Sequence, residues 1–241
     1  EAKLTMINKQ LANAEEAVAD VFDGATIMIS GFGEAGSPIE LIHALIDHGA
    51  TNLTVINNNT GSGEVGLAAL IKAKRVSKMI CSYPRTANST VFPKLYRSGE
   101  TELELVPQGT LAERIRAGGS GIPAFYTPTS VGTPLGEGKE HRTINGREFV
   151  LEYGLTADFS LIKGRLADTH GNVLYNKTAR NFGPLMAMAG NVSVIQAEHI
   201  VTPGEIDPEV IITPGIFVNR VVEIQKPAVE SELIAAGVSY P

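Results

Sequence analysis

Tryptophan is absent from this chain and cysteine occurs once, at Cys81. A single thiol excludes an internal disulfide framework and a cysteine-based metal cluster. Long apolar runs are missing too: no stretch approaches the roughly 20 residues that span a bilayer, and no charged segment with an apolar core opens the chain. Positive charge is scarce, with 20 Lys and Arg against 26 Asp and Glu and a net charge of −6. Nonspecific nucleic-acid binding is therefore not expected, and no basic cluster rescues it. The five histidines show no ligand spacing, so no metal is expected. Neither a Gly-x-Ser-x-Gly elbow nor a Gly-Lys-Ser/Thr phosphate loop occurs, which argues against an α/β-hydrolase and a P-loop NTPase. A cytoplasmic protein without a membrane segment is the expectation.

What the chain does have is 241 residues, 43% of them apolar, and 25 glycines. That suffices for a large α/β core. Residues 6–226 read as one domain and 227–241 as a tail that forms at most a frayed helix. Residues 1–5 read as an added leader before a natural start at Met6. Helical and strand periods alternate: a helix over 11–21, strands at 26–29, 53–56, 79–81 and 103–106, and helices at 39–46, 67–71, 92–96 and 111–117. Further strands are expected at 159–162, 192–197 and 216–224, with a helix at 184–189. The pattern predicts an open, mostly parallel sheet with helices on both faces. Residues 118–138 lack a period and read as a long ordered loop anchored by Ile122, Phe125, Tyr126 and Val131. Asn145-Gly146 between Arg142-Thr143-Ile144 and Glu148-Phe149-Val150-Leu151 predicts a small β-hairpin excursion.

The most informative stretch is Ser30-Gly31-Phe32-Gly33-Glu34-Ala35-Gly36-Ser37-Pro38, a glycine loop between the strand at 26–29 and the helix at 39–46. Its G-x-G-x-x-G spacing is not a dinucleotide fingerprint, because the second strand ends in Asn57-Asn58-Asn59 rather than in an acidic residue. Polar tips also follow the later strands, at 57–63, 82–89 and Pro107-Gln108-Gly109. All four belong to the carboxyl edge of a parallel sheet, where ligands bind.

Asn58, Asn59 and Gln108 offer neutral amide donors there, suited to a carboxylate or a developing oxyanion. Turn formation is the competing reading for the asparagines. Glu34 and Glu64 sit in glycine-containing loops at that edge, so either is a candidate nucleophile or base, with capping or solvent exposure as the competing reading. Glu15-Glu16 and Glu230–Glu232 read as solvated faces, His43 and His48 as surface residues on a helix, and Arg180-Asn181-Phe182 as a cap with an ion pair. Cys81 reads as a small buried hydrophobe, since only Arg85 offers a positive charge near it to activate a thiol.

These motifs together resemble the A (alpha) subunit of the family I coenzyme A transferases. The resemblance is carried by Asp23-Gly24 through Gly31-Phe32-Gly33, Gly36 and Pro38, by Asn58-Asn59, and by Val106-Pro107-Gln108-Gly109-Thr110-Leu111-Ala112-Glu113-Arg114-Ile115-Arg116-Ala117-Gly118-Gly119. It continues through Tyr126-Thr127-Pro128-Thr129, Gly132-Thr133, Glu137-Gly138-Lys139, Gly171-Asn172, Thr178-Ala179-Arg180-Asn181-Phe182 and Thr213-Pro214-Gly215. Ser30 departs from it, standing where the family usually has glycine and placing an added hydroxyl near the site. Residues 59–71 and Cys81-Ser82-Tyr83-Pro84-Arg85 are most similar to the branch acting on 3-oxoadipate. A second carboxylate on that acid gives Arg85 a bidentate partner.

The resemblance implies a transfer of CoA from succinyl-CoA to an oxoacid through a glutamyl thioester. It implies no permanently bound cofactor, the CoA thioester being a substrate. The nucleophilic glutamate of the family lies in a Ser-Glu-Asn-Gly-like motif of the B (beta) subunit, and that motif is absent here. The chain is thus expected to be half of an α2β2 or similar heteromer. It would supply Gly31, Phe32, Gly33, Asn58, Asn59 and Arg85 to substrate binding and Gln108 to the oxyanion. An acetoacetate-type 3-oxoacid transferase is the alternative reading. A stand-alone small-molecule-binding or regulatory protein on a related α/β fold is the competing class.

Overall fold

The computed structural model describes residues 7–86 and 88–240. The expected boundary at Met6 lies outside the described residues. In chain order the elements are β1 (Gln10–Leu11), α1 (Ala14–Val18), β2 (Thr26–Ile29), α2 (Ile39–His48), β3 (Leu53–Ile56) and α3 (Gly66–Lys72). Then come β4 (Val76–Cys81), α4 (Val91–Arg97), β5 (Glu102–Leu105), α5 (Gln108–Gly119) and β6 (Ala124–Thr127). The hairpin strands β7 (His141–Ile144) and β8 (Arg147–Tyr153) lead to β9 (Ala157–Asp168), β10 (Val173–Leu174) and α6 (Gly183–Ala189). Last are β11 (Gly190–Val201), β12 (Arg220–Glu223) and α7 (Glu230–Ala235).

The main sheet has the order β1-β12-β11-β9-β2-β3-β4-β5, and among the described strands only the short β10 pairs antiparallel, with β9. Strand residues alternate between two cores, as burial on both faces demands. Ile27, Ile29, Val55, Met79, Leu161, Val194 and Val222 point into one. Met28, Ile56, Ile80, Ile162, Ile195 and Val221 point into the other. The first core is covered by α1 to α4 and the second by α5 and α6. Among the described residues no helix is long and apolar enough to cross a membrane.

The predicted hairpin is present. Asn145 (φ 50°) and Gly146 (φ 78°) both adopt the left-handed conformation that a two-residue turn of this hand needs. Residues 118–138 are less irregular than expected, because β6 pairs antiparallel with β8 and completes a three-stranded sheet. Its backbone partner, not its own period, makes it a strand. Of the expected anchors, Ile122 is exposed. Leu11 belongs to β1, paired with Val222, and not to a helix, since Asn13 caps α1 by accepting from Glu16 N at 2.8 Å. The strand expected over 216–224 is shortened to Arg220–Glu223, because a 3-10 turn at Gly215–Phe217 occupies its start. Gly215 lies against the His170 backbone, 2.4 Å from where a Cβ would stand.

Candidate functional site

Strands β2, β3, β4 and β5 all end on one side of the sheet, and their exits converge. Phe32 and Gly33 follow β2, Asn58 and Asn59 follow β3, and Ser82, Tyr83 and Thr86 follow β4; Gln108 follows β5. Together they line a cavity of about 620 Å³. The sequence expectation placed these segments at one edge, and the structure brings Phe32, Gly33, Asn58, Asn59 and Gln108 to one cavity. Gly31, with φ 130°, is buried and does not line the cavity.

Asn58 is the hub. Its side chain is buried, and its Oδ1 accepts from Ser82 Oγ at 2.6 Å and from Gln108 Nε2 at 2.9 Å. Its backbone oxygen accepts from Tyr83 N at 2.9 Å and Ser82 N at 3.2 Å. With Oδ1 engaged twice, Nδ2 is left as the donor. Asn59 accepts from Gly61 N at 2.8 Å through Oδ1, which is the Asx turn of the competing reading. Its Nδ2, however, is buried without a partner among the described residues. Gln108 is not a loop residue: Pro107 precedes the helix and Gln108 is the first residue of α5. Ser82 escaped sequence reasoning, since a lone serine at a strand end carries no signal.

Asn57 staples β2 to β3, its Nδ2 donating to Ile29 O at 2.7 Å. The Ser30 hydroxyl, expected near the site, is 1% exposed and turned inward. It donates to Gly36 O at 2.6 Å and accepts from Lys163 N at 3.1 Å, so it stitches the glycine loop closed. Gly36 is required there: its φ is 84°, and an added Cβ would meet Ala179 O at 2.5 Å. Asn181 donates to Ala35 O at 2.8 Å and so braces the same loop. Arg180 makes no ion pair among the described residues.

The carboxylate candidates lie elsewhere. Glu34 Oε2 accepts from Ser231 N at 2.8 Å. Glu64 pairs with Lys72 at 2.6 Å and accepts from Ser239 Oγ at 2.7 Å; these contacts, Lys72 first, hold its carboxyl below the usual range. Neither lines the amide cavity. Glu230 is buried, not solvated, with Oε1 accepting from Ser62 N at 2.9 Å. Burial raises its pKa, the Ser62 amide opposes that, and the Glu34 charge adds a smaller push upward. His43 is half-buried rather than on the surface, accepting from Gly66 N at 3.0 Å and stacked on Tyr240 at 3.7 Å. Cys81 is buried as expected, its thiol pushed up to about 12 by burial. Arg85 is exposed and does not line the cavity, though Tyr83 and Thr86 of the same loop do.

The cavity is therefore a neutral, donor-rich wall under two exposed aromatic rings, Phe32 (52% exposed) and Tyr83 (60%). It can hold a carboxylate or carbonyl oxygen without neutralising it.

Known proteins share both sequence and shape. The family model described as Coenzyme A transferase matches residues 11–224. The chain is 57% identical to the A subunit of 3-oxoadipate CoA-transferase from Pseudomonas putida, over 94% of this chain and 98% of that one. It is 50% identical to the A subunit of a probable succinyl-CoA:3-ketoacid coenzyme A transferase from Bacillus subtilis, over 90% of each. Glutaconate coenzyme A-transferase from Acidaminococcus fermentans shares the fold, with a TM-score of 0.78 at 21% identity over 89% of this chain and 75% of that one. So does an acyl-CoA transferase from Escherichia coli in a thioester complex with CoA, with a TM-score of 0.79 at 20% identity. That match covers 92% of this chain but 48% of the other, so the chain spans about half its length. The sheet order, the converging loops and the match over residues 11–224 lead to one assignment: the chain belongs to the coenzyme A transferase family.

Proposed function

We propose that the chain is the A half of a heteromeric transferase that moves CoA from succinyl-CoA to 3-oxoadipate, with the nucleophilic glutamate on a B subunit. One observation carries the division of labour. The amide cavity is lined by donors and aromatics with no carboxylate among them, while Glu34 and Glu64 are engaged outside it. The exposed Phe32 and Tyr83 rings at its mouth suit a surface that a partner chain covers. The name of the Pseudomonas putida relative supports 3-oxoadipate over a 3-ketoacid acceptor at the higher identity.

In this reading the partner's glutamate carboxylate attacks the thioester carbon of succinyl-CoA. The C–S bond breaks, leaving a mixed anhydride and CoA thiolate. The thiolate then attacks the glutamyl carbonyl, releasing succinate and leaving a glutamyl–CoA thioester. The oxoacid carboxylate reverses both steps and departs as its CoA ester. Each attack builds negative charge on a carbonyl oxygen. In this reading the Asn58 and Gln108 amides, which line the cavity, meet that charge, each such donor contributing about 2.7–4 kcal/mol in comparable sites.

Purified chain alone should show no transfer of CoA from succinyl-CoA to 3-oxoadipate, and the co-purified A–B complex should show it. After incubation with acyl-CoA, borohydride, which reduces the thioester, should modify only the B chain. Enzyme-like turnover by the chain alone would end this reading.

Arg85 is assigned to the distal carboxylate of the six-carbon acceptor. It lies in the β4 exit beside the lining residues Tyr83 and Thr86 and makes no ion pair among the described residues. Arg85→Met should cost about 1.5–3 kcal/mol in kcat/KM for 3-oxoadipate, as for a charged hydrogen bond. Acetoacetate, which lacks that group, should be nearly unaffected. Equal losses on both substrates would remove Arg85 from specificity.

A further inference from the structure

The segment after Pro227 folds back over the loops that build the amide cavity. Ala228 N donates to Glu40 Oε1 at 2.5 Å, at the start of α2. Ser231 N donates to Glu34 in the glycine loop, and Ser62 N, in the loop that follows Asn58 and Asn59, donates at 2.9 Å to Glu230. These bonds run through the tail from one loop to the other. The glycine loop accepts from the tail, and the tail accepts from the asparagine loop. Ile234 closes over Gly63, where an added Cβ would stand 2.7 Å from Cγ1. Farther on, Tyr240 N donates to Glu64 O at 2.9 Å, its ring stacks on His43 and its hydroxyl donates to Asp47 at 2.7 Å.

Glu230 is the informative residue. It is 7% exposed and has a second carboxylate, Glu34, close enough to raise its proton affinity. Burying a carboxylate beside another is costly, and a terminal helix whose only task was to cover apolar surface has no need of one. What this carboxylate does is fix one backbone amide, three residues beyond Asn59. The buried Asn59 Nδ2 has no partner among the described residues, and its carboxamide is held through Oδ1 by Gly61 N, so its direction depends on the backbone of that loop.

We propose that the C-terminal segment is a strap that positions the amide cavity, with Glu230 as the positioning residue that holds the loop bearing Asn58 and Asn59. This rests on the transferase reading above. A strap that only adds stability would lower the melting temperature and leave the turnover of the folded enzyme alone. A positioning strap acts on the transition state, where a small misplacement of a donor is felt in kcat.

The test uses the assembled A–B complex carrying Glu230→Ala or Glu230→Gln, in two arms. In the first, hydrogen–deuterium exchange of the peptide covering residues 58–63 should quicken by about tenfold in Glu230→Ala, as the anchored amide is released. In the second, kcat should fall by roughly 10- to 100-fold with KM for succinyl-CoA within about twofold. Glu230→Gln keeps an acceptor oxygen for Ser62 N and should restore at least half of the wild-type kcat. Unchanged exchange overturns the anchoring, and faster exchange with unchanged kcat overturns the positioning. A glutamine variant as impaired as the alanine variant overturns the acceptor role. A wild-type complex without transferase activity refutes the functional reading instead, and the exchange arm then decides whether Glu230 holds the loop.

Discussion

Asn58→Ala in the assembled enzyme should lower kcat by about 10²–10³-fold, the range for losing one pre-oriented oxyanion donor. Asn58 Oδ1 accepts from both Ser82 Oγ and Gln108 Nε2, so its carboxamide is fixed in one orientation with Nδ2 as the free donor. Its backbone oxygen is fixed as well, by the two amides that follow β4. The alanine variant loses the donor and also releases Gln108, whose Nε2 no longer has an acceptor. Gln108→Ala alone should cost about 10²-fold, since Asn58 remains held by Ser82. The double variant should be little worse than Asn58→Ala, because the two amides act as one unit. Gln108 is exposed at the first position of α5, so Gln108→Ala should leave the melting temperature within a few degrees of wild type. Steady-state kinetics and thermal unfolding of the variants check this. An unchanged kcat in Asn58→Ala would reduce the amide cluster to loop architecture. Additive losses would mean that the amides meet the substrate independently.

The loops that line the candidate site are legible in the sequence because each is local. A strand followed at once by glycine, asparagine or Pro-Gln-Gly announces a loop at the carboxyl edge, and parallel pairing of β2 to β5 brings those edges together. Strand cores are legible for the same reason: Ile27, Met28 and Ile29 are apolar in succession because β2 is buried on both faces. Most of the misreadings involve partners far away in sequence. β6 needs β8, and Leu11 becomes a strand residue only because β12 lies beside it. Glu230 looks like a solvated carboxylate until Ser62, 168 residues earlier, donates to it. His43 looks like a surface residue until Tyr240 stacks on it. Ser30 looks like an addition to the site, yet its hydroxyl serves Gly36 and Lys163 inside the loop. Residue type announces that a polar group is there. Only the tertiary fold decides what it touches.

The Gly118-Gly119 pair shows the same distinction from the other side, and it carries the largest expected stability effect. The pair closes a family-like run that begins beside the cavity-lining Gln108, but the structure gives it a packing role. A Cβ on Gly118 would stand 1.9 Å from Leu155 O and 2.5 Å from its carbonyl carbon, and one on Gly119 would stand 2.8 Å from Met188 Cβ. Helix α5 is pressed at its C-terminal end against the backbone between β8 and β9, where Leu155 N also donates to Arg114 O at 2.7 Å. Backbone cannot swing aside as a flexible side chain can. The clash in Gly118→Ala should therefore cost about 3 kcal/mol, the upper end for overpacking a well-packed contact. Alanine's better helix propensity, about 1 kcal/mol, offsets only part of it. For a chain of this size the net loss of about 2 kcal/mol lowers Tm by roughly 4–8 °C. Gly109→Ala is the control within the same helix: nothing lies within 4 Å of its added Cβ, so only the propensity gain remains and Tm should hold or rise. Differential scanning calorimetry of the two variants decides the matter. If Gly118→Ala melts with or above the wild type while Gly109→Ala behaves as expected, the close approach of α5 to Leu155 is wrong.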